Sequence, residues 1–201
     1  MLNEIIFPTS QDILVIGPPR SGTTALCDYI AKQTNFENLD EIWSPIRPTR
    51  PALLSNPDKR YVLKLLPEHY FDRDKNKAEI EEKLGNSYVV LLERKNIKEH
   101  IISLYVSTIT NKWHYQNENF SKRSRSFVKA NIPVDLKIMD WCVIRIKDNV
   151  KWLKEFDKHA DLRLTYEDLG VIDSEYHVFP KPQNHTKLFE ALDKNFGSQL
   201  T

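Results

Sequence analysis

The pattern of apolar positions predicts four short strands, over residues 12–17, 60–66, 87–92 and 161–166. Most of these runs are apolar at successive positions, which is typical of strands buried on both faces of a sheet. Apolar residues spaced three and four apart predict helices over residues 24–33, 75–84, 97–106, 135–158 and 186–196. The alternation predicts an α/β fold with a central parallel β-sheet of about four to five strands, flanked by helices.

Two stretches lack a clear periodicity. Residues 35–60 contain four prolines and predict mostly loop, and residues 110–131 are polar and partly basic. Because neither a repeat nor a low-complexity linker divides the chain, we expect one domain over residues 1–201. In parallel α/β sheets the site lies beyond the carboxyl ends of the strands, which directs attention to residues 17–24, 64–69, 93–96 and 166–168.

Composition narrows the class of protein. The chain has 201 residues, of which 40% are hydrophobic and 28% charged, and its formal net charge is +1. Such a balance argues against nucleic acid or a membrane surface as the main partner. Cys27 and Cys142 are too few for a disulfide framework, and no signal peptide is recognisable, so we expect a cytoplasmic protein with reduced thiols. The histidines lack the spacing of a zinc site.

One loop carries a strong chemical signal. Gly17-Pro-Pro-Arg-Ser-Gly-Thr-Thr24 stands between a predicted strand and a predicted helix. Its glycines have the spacing of a P-loop, with Thr23 where the nucleotide-binding lysine usually stands. Glycines, successive N–H groups and a helix start together favour an anion, and Arg20 adds a planar cation.

The segment Pro19-Arg-Ser-Gly-Thr-Thr24 resembles the 5′-phosphosulfate loop of the sulfotransferase family that uses 3′-phosphoadenosine-5′-phosphosulfate (PAPS). The resemblance implies a P-loop-like sulfotransferase architecture, with PAPS as co-substrate and no metal. It further implies that the 5′-phosphosulfate is held by Arg20, Ser21, Gly22, Thr23 and Thr24.

A second segment is similar to the 3′-phosphate site of that family. It begins at Arg94, at the end of a predicted strand, and reaches Ser103 in the following helix. The resemblance implies that Arg94 and Ser103 hold the phosphate. The spacing of nine residues exceeds the commoner eight, which would instead select Lys95.

Two further segments resemble the family more weakly. Tyr166-Glu-Asp-Leu169 is similar to a segment with a structural capping role, and Lys181-Pro-Gln-Asn-His185 to a loop that closes over the cofactor. The second similarity makes Lys181 and Asn184 candidate ligands.

The catalytic residues follow from the same resemblance. Lys64-Leu-Leu-Pro67 lacks the histidine of the aryl and steroid branch, so the chain is more similar to the carbohydrate- and tyrosine-acting branch. That branch uses a glutamate after the first helix, which implies Glu41 as the base. Asp40, Glu68 and His69 stay open as alternatives, while Lys64 would stabilise the leaving oxygen and Arg20 the transferred group.

These observations predict transfer of a sulfuryl group from PAPS to a hydroxyl or amine on a small-molecule, carbohydrate or peptide acceptor. Neither the acceptor nor the oligomeric state follows from the sequence. A P-loop small-molecule or nucleotide kinase is the first alternative, and a nucleotide-binding module without catalysis is the second.

Overall fold

The computed structural model describes residues 4–44, 58–71, 74–111, 131–170 and 181–200. The chain divides into two compact units, one of Met1–Lys95 with Asn149–Ile172 and the other of Asn96–Asp148 with Asp173–Thr201. The expectation of a single domain stays a prediction. Residues 45–57 of the predicted proline-rich loop, and residues 112–130 of the second irregular stretch, lie outside the described residues.

The first unit is built on one parallel sheet, with the strand order β2-β3-β1-β4-β5. Its strands are β1 (Asp12–Ile16), β2 (Glu37–Asp40), β3 (Tyr61–Leu65), β4 (Ser87–Glu93) and β5 (Leu162–Thr165). The predicted α/β fold with a central parallel sheet is confirmed.

Apolar side chains cover both faces of this sheet. On one face, Leu14 and Leu63 pack in a cluster that includes Trp43 and Trp152. On the other face, Val15 and Val62 pack with residues of the helix that follows β1, including Leu26, Cys27 and Ile30. Successive residues of a strand point to opposite faces, so a continuous apolar run fills both clusters.

The helices alternate with the strands, as predicted. They are α1 (Thr23–Thr34), α2 (Pro67–Phe71), α3 (Asp74–Asn86), α4 (Ile97–Thr110), α5 (Leu136–Lys154) and α6 (His185–Phe196). In the described ranges of the chain, short 3-10 turns follow α5, β5 and α6, at Asp157–His159, Tyr166–Leu169 and Gly197–Gln199.

Two elements differ from the prediction. The polar segment Glu37–Asp40 is a strand rather than a loop, and it pairs with β3 at the edge of the described sheet. Its single buried residue is Leu39, so an apolar pattern does not reveal it. Helix α2, which is not among the predicted helices, begins at Pro67, a residue that fits the first helical turn because that turn needs no proline N–H.

In the second unit, short-range caps and longer-range hydrogen bonds hold the helices. Asn96 caps α4 by accepting from the Glu99 amide, and Asp135 accepts from the amides of Lys137 and Ile138 at the start of α5. The Tyr105 hydroxyl accepts from the Asp135 amide at 2.7 Å. Among the described residues of the chain, none of the helices combines the length and the apolar character needed to cross a membrane.

Candidate functional site

The site of the first unit lies where the strand order reverses. The chain leaves β1 for β2 on one side of it, whereas it leaves β4 for β5 on the other side. In open parallel sheets, ligands bind outside the carboxyl ends of the strands at such a point. By this rule, a ligand would bind in a crevice between the residues that follow β1 and those that follow β4.

Two glycines shape the loop after β1. A Cβ at Gly17 would lie 2.6 Å from the Leu92 carbonyl oxygen, which is a backbone atom of β4. Gly22 has a φ of +91°, and a Cβ there would lie 2.8 Å from Cδ2 of Tyr166. Close approach requires the first glycine, and both backbone conformation and close approach require the second.

The loop between these glycines contains a tight turn. The Ser21 amide donates to the Pro18 carbonyl at 3.3 Å, with Pro19 and Arg20 between them. Arg20 has a φ of +68°, the left-handed conformation that the third residue of a type II turn requires. The buried Ser21 hydroxyl also donates to the Pro18 carbonyl, at 2.7 Å. Ser21 therefore stabilises the turn, and a role for its side chain in binding anions stays a prediction.

Helix α1 begins directly after Gly22, which is its N-cap residue. No side chain accepts a hydrogen bond as its N-terminal cap, and its first turn holds no acidic residue. Thr23 is buried, and the Thr24 hydroxyl accepts a hydrogen bond from Lys64 at 2.8 Å. The first turn thus keeps the partial positive charge of a helix N-terminus beside the loop.

Lys64 is the centre of a buried polar cluster on the face of the sheet that carries α1. Its ammonium lies 2.6 Å from Asp40 Oδ1 and 2.8 Å from Glu41 Oε1, in addition to its bond with Thr24. The side chain is 1% exposed. An ammonium has three N–H donors, and these three oxygens match them in number. A buried lysine is tolerated here because two carboxylates compensate its charge.

The end of β2 brings the two carboxylates together. Consecutive side chains of a regular strand point to opposite faces. The pairing of β2 with β3 shifts between Asn38 and Asp40, and Asp40 has a φ of +54°. This irregularity lets Asp40 and Glu41, although adjacent, both reach Lys64.

Glu41 also faces His69, which is buried. His69 Nδ1 accepts from the Leu66 amide at 3.2 Å, and its Nε2 lies 3.6 Å from Glu41 Oε2. Burial by itself would raise the pKa of Glu41, but the N–H of His69 and the charge of Lys64 outweigh it and lower that pKa to about 2. Glu41 is therefore ionised at neutral pH.

The same cluster acts on Lys64. Burial disfavours its charged form, yet the charges of Asp40 and Glu41 more than compensate and raise the pKa of Lys64 above its ordinary value. The ammonium is a fixed cation.

Arg94 follows β4, next to the loop. Its Nη1 donates to the Arg20 carbonyl at 3.4 Å, and its Cζ lies 4.5 Å from the ring centre of Tyr166. This distance is within the range of a cation–π interaction. Contact with Arg20 connects the predicted 3′-phosphate residue to the predicted 5′-phosphosulfate loop.

Tyr166 is held by the turn that follows β5. Thr165 and Asp168 form a capping box, in which the Thr165 hydroxyl accepts from the Asp168 amide and the Asp168 carboxylate accepts from the Thr165 amide. Glu167 accepts from the Lys95 amide at 3.0 Å. The segment has the structural capping that its resemblance implies, and its tyrosine also contacts both site loops. The sequence signal for that contact is the strand end before Tyr166.

The remaining predicted site residues are Lys95, Glu68, Ser103, Lys181 and Asn184. Lys95 is exposed, and Glu68 lies in the first turn of α2. In the second unit, Ser103 lies within α4, and Lys181 pairs with Glu99 at 2.7 Å. The Asn184 side chain donates to the Ile132 carbonyl and accepts from its amide, at 2.7 and 2.9 Å. These two hydrogen bonds make Asn184 a structural link to Ile132. The ligand roles of Ser103 and Lys181 stay predictions.

The described residues contain no group of three or more His, Cys, Asp or Glu side chains that could hold a metal ion.

No family model matches the chain, and no curated protein matches its sequence. Among solved structures, it is similar to a mouse sulfotransferase complexed with PAP, with 16% identity and a TM-score of 0.44 over 94% of this chain and 57% of that one. It is also similar to a shikimate kinase from Acinetobacter baumannii in complex with shikimate, with 14% identity and a TM-score of 0.45 over 96% of this chain and 97% of that one. The chain thus spans little more than half of the sulfotransferase. These similarities do not distinguish sulfuryl transfer from phosphoryl transfer.

Proposed function

We propose that the chain is a sulfotransferase that moves a sulfuryl group from PAPS to a hydroxyl or amine acceptor and releases 3′,5′-ADP. One observation supports this proposal most. Through Thr24, the anion-binding loop is hydrogen-bonded to Lys64, a buried lysine that in turn contacts Glu41, the candidate base. The parts that a direct displacement needs are therefore adjacent.

The donor would bind at the crevice beside β1 and β4. The loop of Arg20 to Thr24 would hold the 5′-phosphosulfate through backbone N–H groups and the arginine. Arg94, which already contacts the loop, would hold the 3′-phosphate. The roles of Ser103 and Lys181 as further ligands of the donor rest on the resemblance of their segments alone.

In the reaction, the acceptor oxygen or nitrogen attacks sulfur, and the bond between sulfur and the bridging oxygen breaks. The electron pair stays on that oxygen, which belongs to 3′,5′-ADP. The proton of the acceptor passes to an oxygen of the Glu41 carboxylate. Attacking and leaving atoms must lie in line, so catalysis depends on positioning and on charge compensation.

Lys64 would serve the leaving oxygen by exchanging a hydrogen bond. The Thr24 hydroxyl is the one neutral acceptor among the three that are described, so it is the least costly to give up. The ammonium keeps its contacts with Asp40 and Glu41, but it now also compensates the charge on the leaving oxygen, which weakens the attraction that lowers the pKa of Glu41. The base would then accept a proton more readily as the leaving group departs.

Calorimetry with 3′,5′-ADP in the presence of EDTA tests the nucleotide site. We expect micromolar binding, weakened at least about tenfold in Arg94→Ala, because a guanidinium–phosphate contact is strong. Arg163→Ala removes an exposed arginine of β5 and is the matched control. Equal affinities for 3′,5′-ADP and 5′-AMP would contradict the assignment of Arg94.

Transfer of labelled sulfur from PAPS to a panel of hydroxyl and amine acceptors tests the reaction. We expect Glu41→Gln to abolish turnover and to keep 3′,5′-ADP binding. Glu37→Gln, at the exposed start of β2, is the control and should retain turnover. An unchanged rate in Glu41→Gln would remove Glu41 from the mechanism.

A kinase is the second candidate, and one observation favours it. The hydroxyl of Thr24 shares a cation with two carboxylates, an arrangement that P-loop kinases use for Mg²⁺. ATP binding that requires Mg²⁺, without binding of 3′,5′-ADP, would support a kinase and exclude the sulfotransferase.

A further inference from the structure

We propose that Lys64 is a built-in cation in a set of oxygen atoms suited to a divalent metal, so that removal of its side chain would open a site for Mg²⁺ or Mn²⁺. The inference also concerns the wild-type protein, in which the Lys64 ammonium orients Thr24 and both carboxylates without a metal. It does not depend on the donor or reaction proposed above.

The geometry around the ammonium is the first support. Three oxygens from two elements converge on one atom, at 2.6 Å from Asp40, 2.8 Å from Glu41 and 2.8 Å from Thr24. The side chain is 1% exposed, so water does not share in its solvation to any large extent. The ammonium therefore acts as the centre of a coordination shell rather than as a surface charge.

The chemistry of the oxygens is the second support. Hard divalent cations prefer carboxylate and hydroxyl oxygens. Thr24 begins a helix after a glycine-containing loop, the position from which a hydroxyl contacts Mg²⁺ in P-loop proteins. Metal–oxygen bonds are about 2.0–2.1 Å for Mg²⁺, so the observed distances fit an ammonium, and a metal would draw the oxygens inward.

Charge makes the exchange feasible. Two carboxylates and one ammonium leave this group with a net charge of −1 when His69 is neutral. A divalent ion in place of the ammonium would bring the net charge of the group to zero. The carboxylates are 20% and 15% exposed, so a metal that enters the space left by Lys64 has access from solvent.

The test compares Lys64→Ala with Lys64→Met at neutral pH, using Mn²⁺ and its electron paramagnetic resonance signal, with no nucleotide present. Both variants lose the charge, but methionine keeps most of the side-chain volume. We expect Lys64→Ala to bind Mn²⁺ at least about tenfold more tightly than the wild type, and Lys64→Met to behave like the wild type. Adding both Asp40→Asn and Glu41→Gln to Lys64→Ala should abolish the gain, because neither carboxylate of the cluster then remains.

The double variant Lys64→Ala/Glu41→Gln guards against loss of folding, because it keeps a net charge of −1 in the cluster. Its thermal midpoint should rise with Mn²⁺, whereas that of Lys64→Met should not. The inference is wrong if neither Lys64→Ala nor Lys64→Ala/Glu41→Gln binds Mn²⁺ more tightly than the wild type. It is also wrong if Lys64→Met binds Mn²⁺ as tightly as Lys64→Ala does. Since the assay contains neither PAPS nor an acceptor, its outcome is separate from that of the sulfotransferase proposal.

Discussion

Arg20 and Gly22 place two left-handed residues within three positions of the loop. For a residue with a side chain this conformation costs about 1–2 kcal/mol, a cost that Arg20 incurs and glycine avoids. The turn closed by Ser21 and Pro18 compensates part of it. Strain of this kind is concentrated at functional sites, where the backbone must present its N–H groups in one direction.

At this scale we predict that Gly22→Ala destabilises the protein by about 1–3 kcal/mol, because the new methyl meets Tyr166 and the backbone favours glycine. Gly85 is the control: it lies in helix α3, and a Cβ there meets nothing within 4 Å. Gly85→Ala should stabilise the protein by about 0.5–1 kcal/mol. Urea unfolding measures both values, and equal effects would contradict the strain at Gly22.

Glu41 gives a prediction on pH. Its pKa falls from 4.5 to about 2 on folding, so its contribution is complete above pH 4.5 and is lost as the pH falls towards 2. The contribution is on the order of 3 kcal/mol. Urea unfolding between pH 6 and 3 should show a steeper loss of stability in the wild type than in Glu41→Gln. An identical slope in the two proteins would mean that Glu41 is not paired in the folded state.

Among the elements, the turn after β5 contacts both the loop after β1 and the end of β4. It carries Tyr166 between Gly22 and Arg94, and its capping box fixes the backbone that presents the ring. The Lys95 amide donates to Glu167, which ties the turn to the end of β4. The loop after β1 and the end of β4 are thereby positioned by one segment.

We predict that Tyr166→Leu weakens 3′,5′-ADP binding by about 3- to 30-fold, because Arg94 loses its aromatic partner. Tyr166→Phe keeps the ring and should bind within about twofold of the wild type. Calorimetry with 5′-AMP is the further control, since a nucleotide without the 3′-phosphate should lose less affinity. An equal loss in the phenylalanine variant would assign the effect to the hydroxyl instead.

The elements also show what the sequence could and could not predict. Strands β1, β3 and β4 are buried on both faces, so their apolar runs identify them. The edge strand β2 carries one buried residue, and its polar pattern is indistinguishable from that of a loop. The contacts of Lys64 depend on the pairing of β2 with β3, and on the left-handed Asp40, neither of which leaves a local signal. The glycine loop was predictable because its chemistry is local.

At the scale of the molecule, the strand order determines which predicted residues meet. Arg94 and Arg20 are 74 positions apart and come into contact because β4 pairs with β1. Tyr166 joins them because β5 pairs with β4. Sequence patterns locate the ends of strands, whereas topology decides which ends are neighbours.

This arrangement predicts that one ligand protects both loops of the first unit. At a concentration about 100 times its dissociation constant, 3′,5′-ADP should stabilise the folded protein by about 2.7 kcal/mol. Hydrogen exchange should slow at residues 17–24 and 94–95 together, and Arg94→Ala should abolish the slowing at residues 94–95. Protection confined to one loop would show that the crevice does not bind the nucleotide as a unit.

The uncapped beginning of α1 has a consequence for attempts to make this protein more stable. Serine or aspartate at the start of a helix is a common stabilising substitution, and position 22 would be an obvious choice for it. Here the substituted side chain would accept hydrogen bonds from the amides that the proposed donor needs. It would also strain the backbone, because the left-handed conformation at position 22 favours glycine. A substitution of Gly22 that is chosen for heat resistance should therefore weaken binding of the proposed donor. A selection for activity should restore glycine at this position.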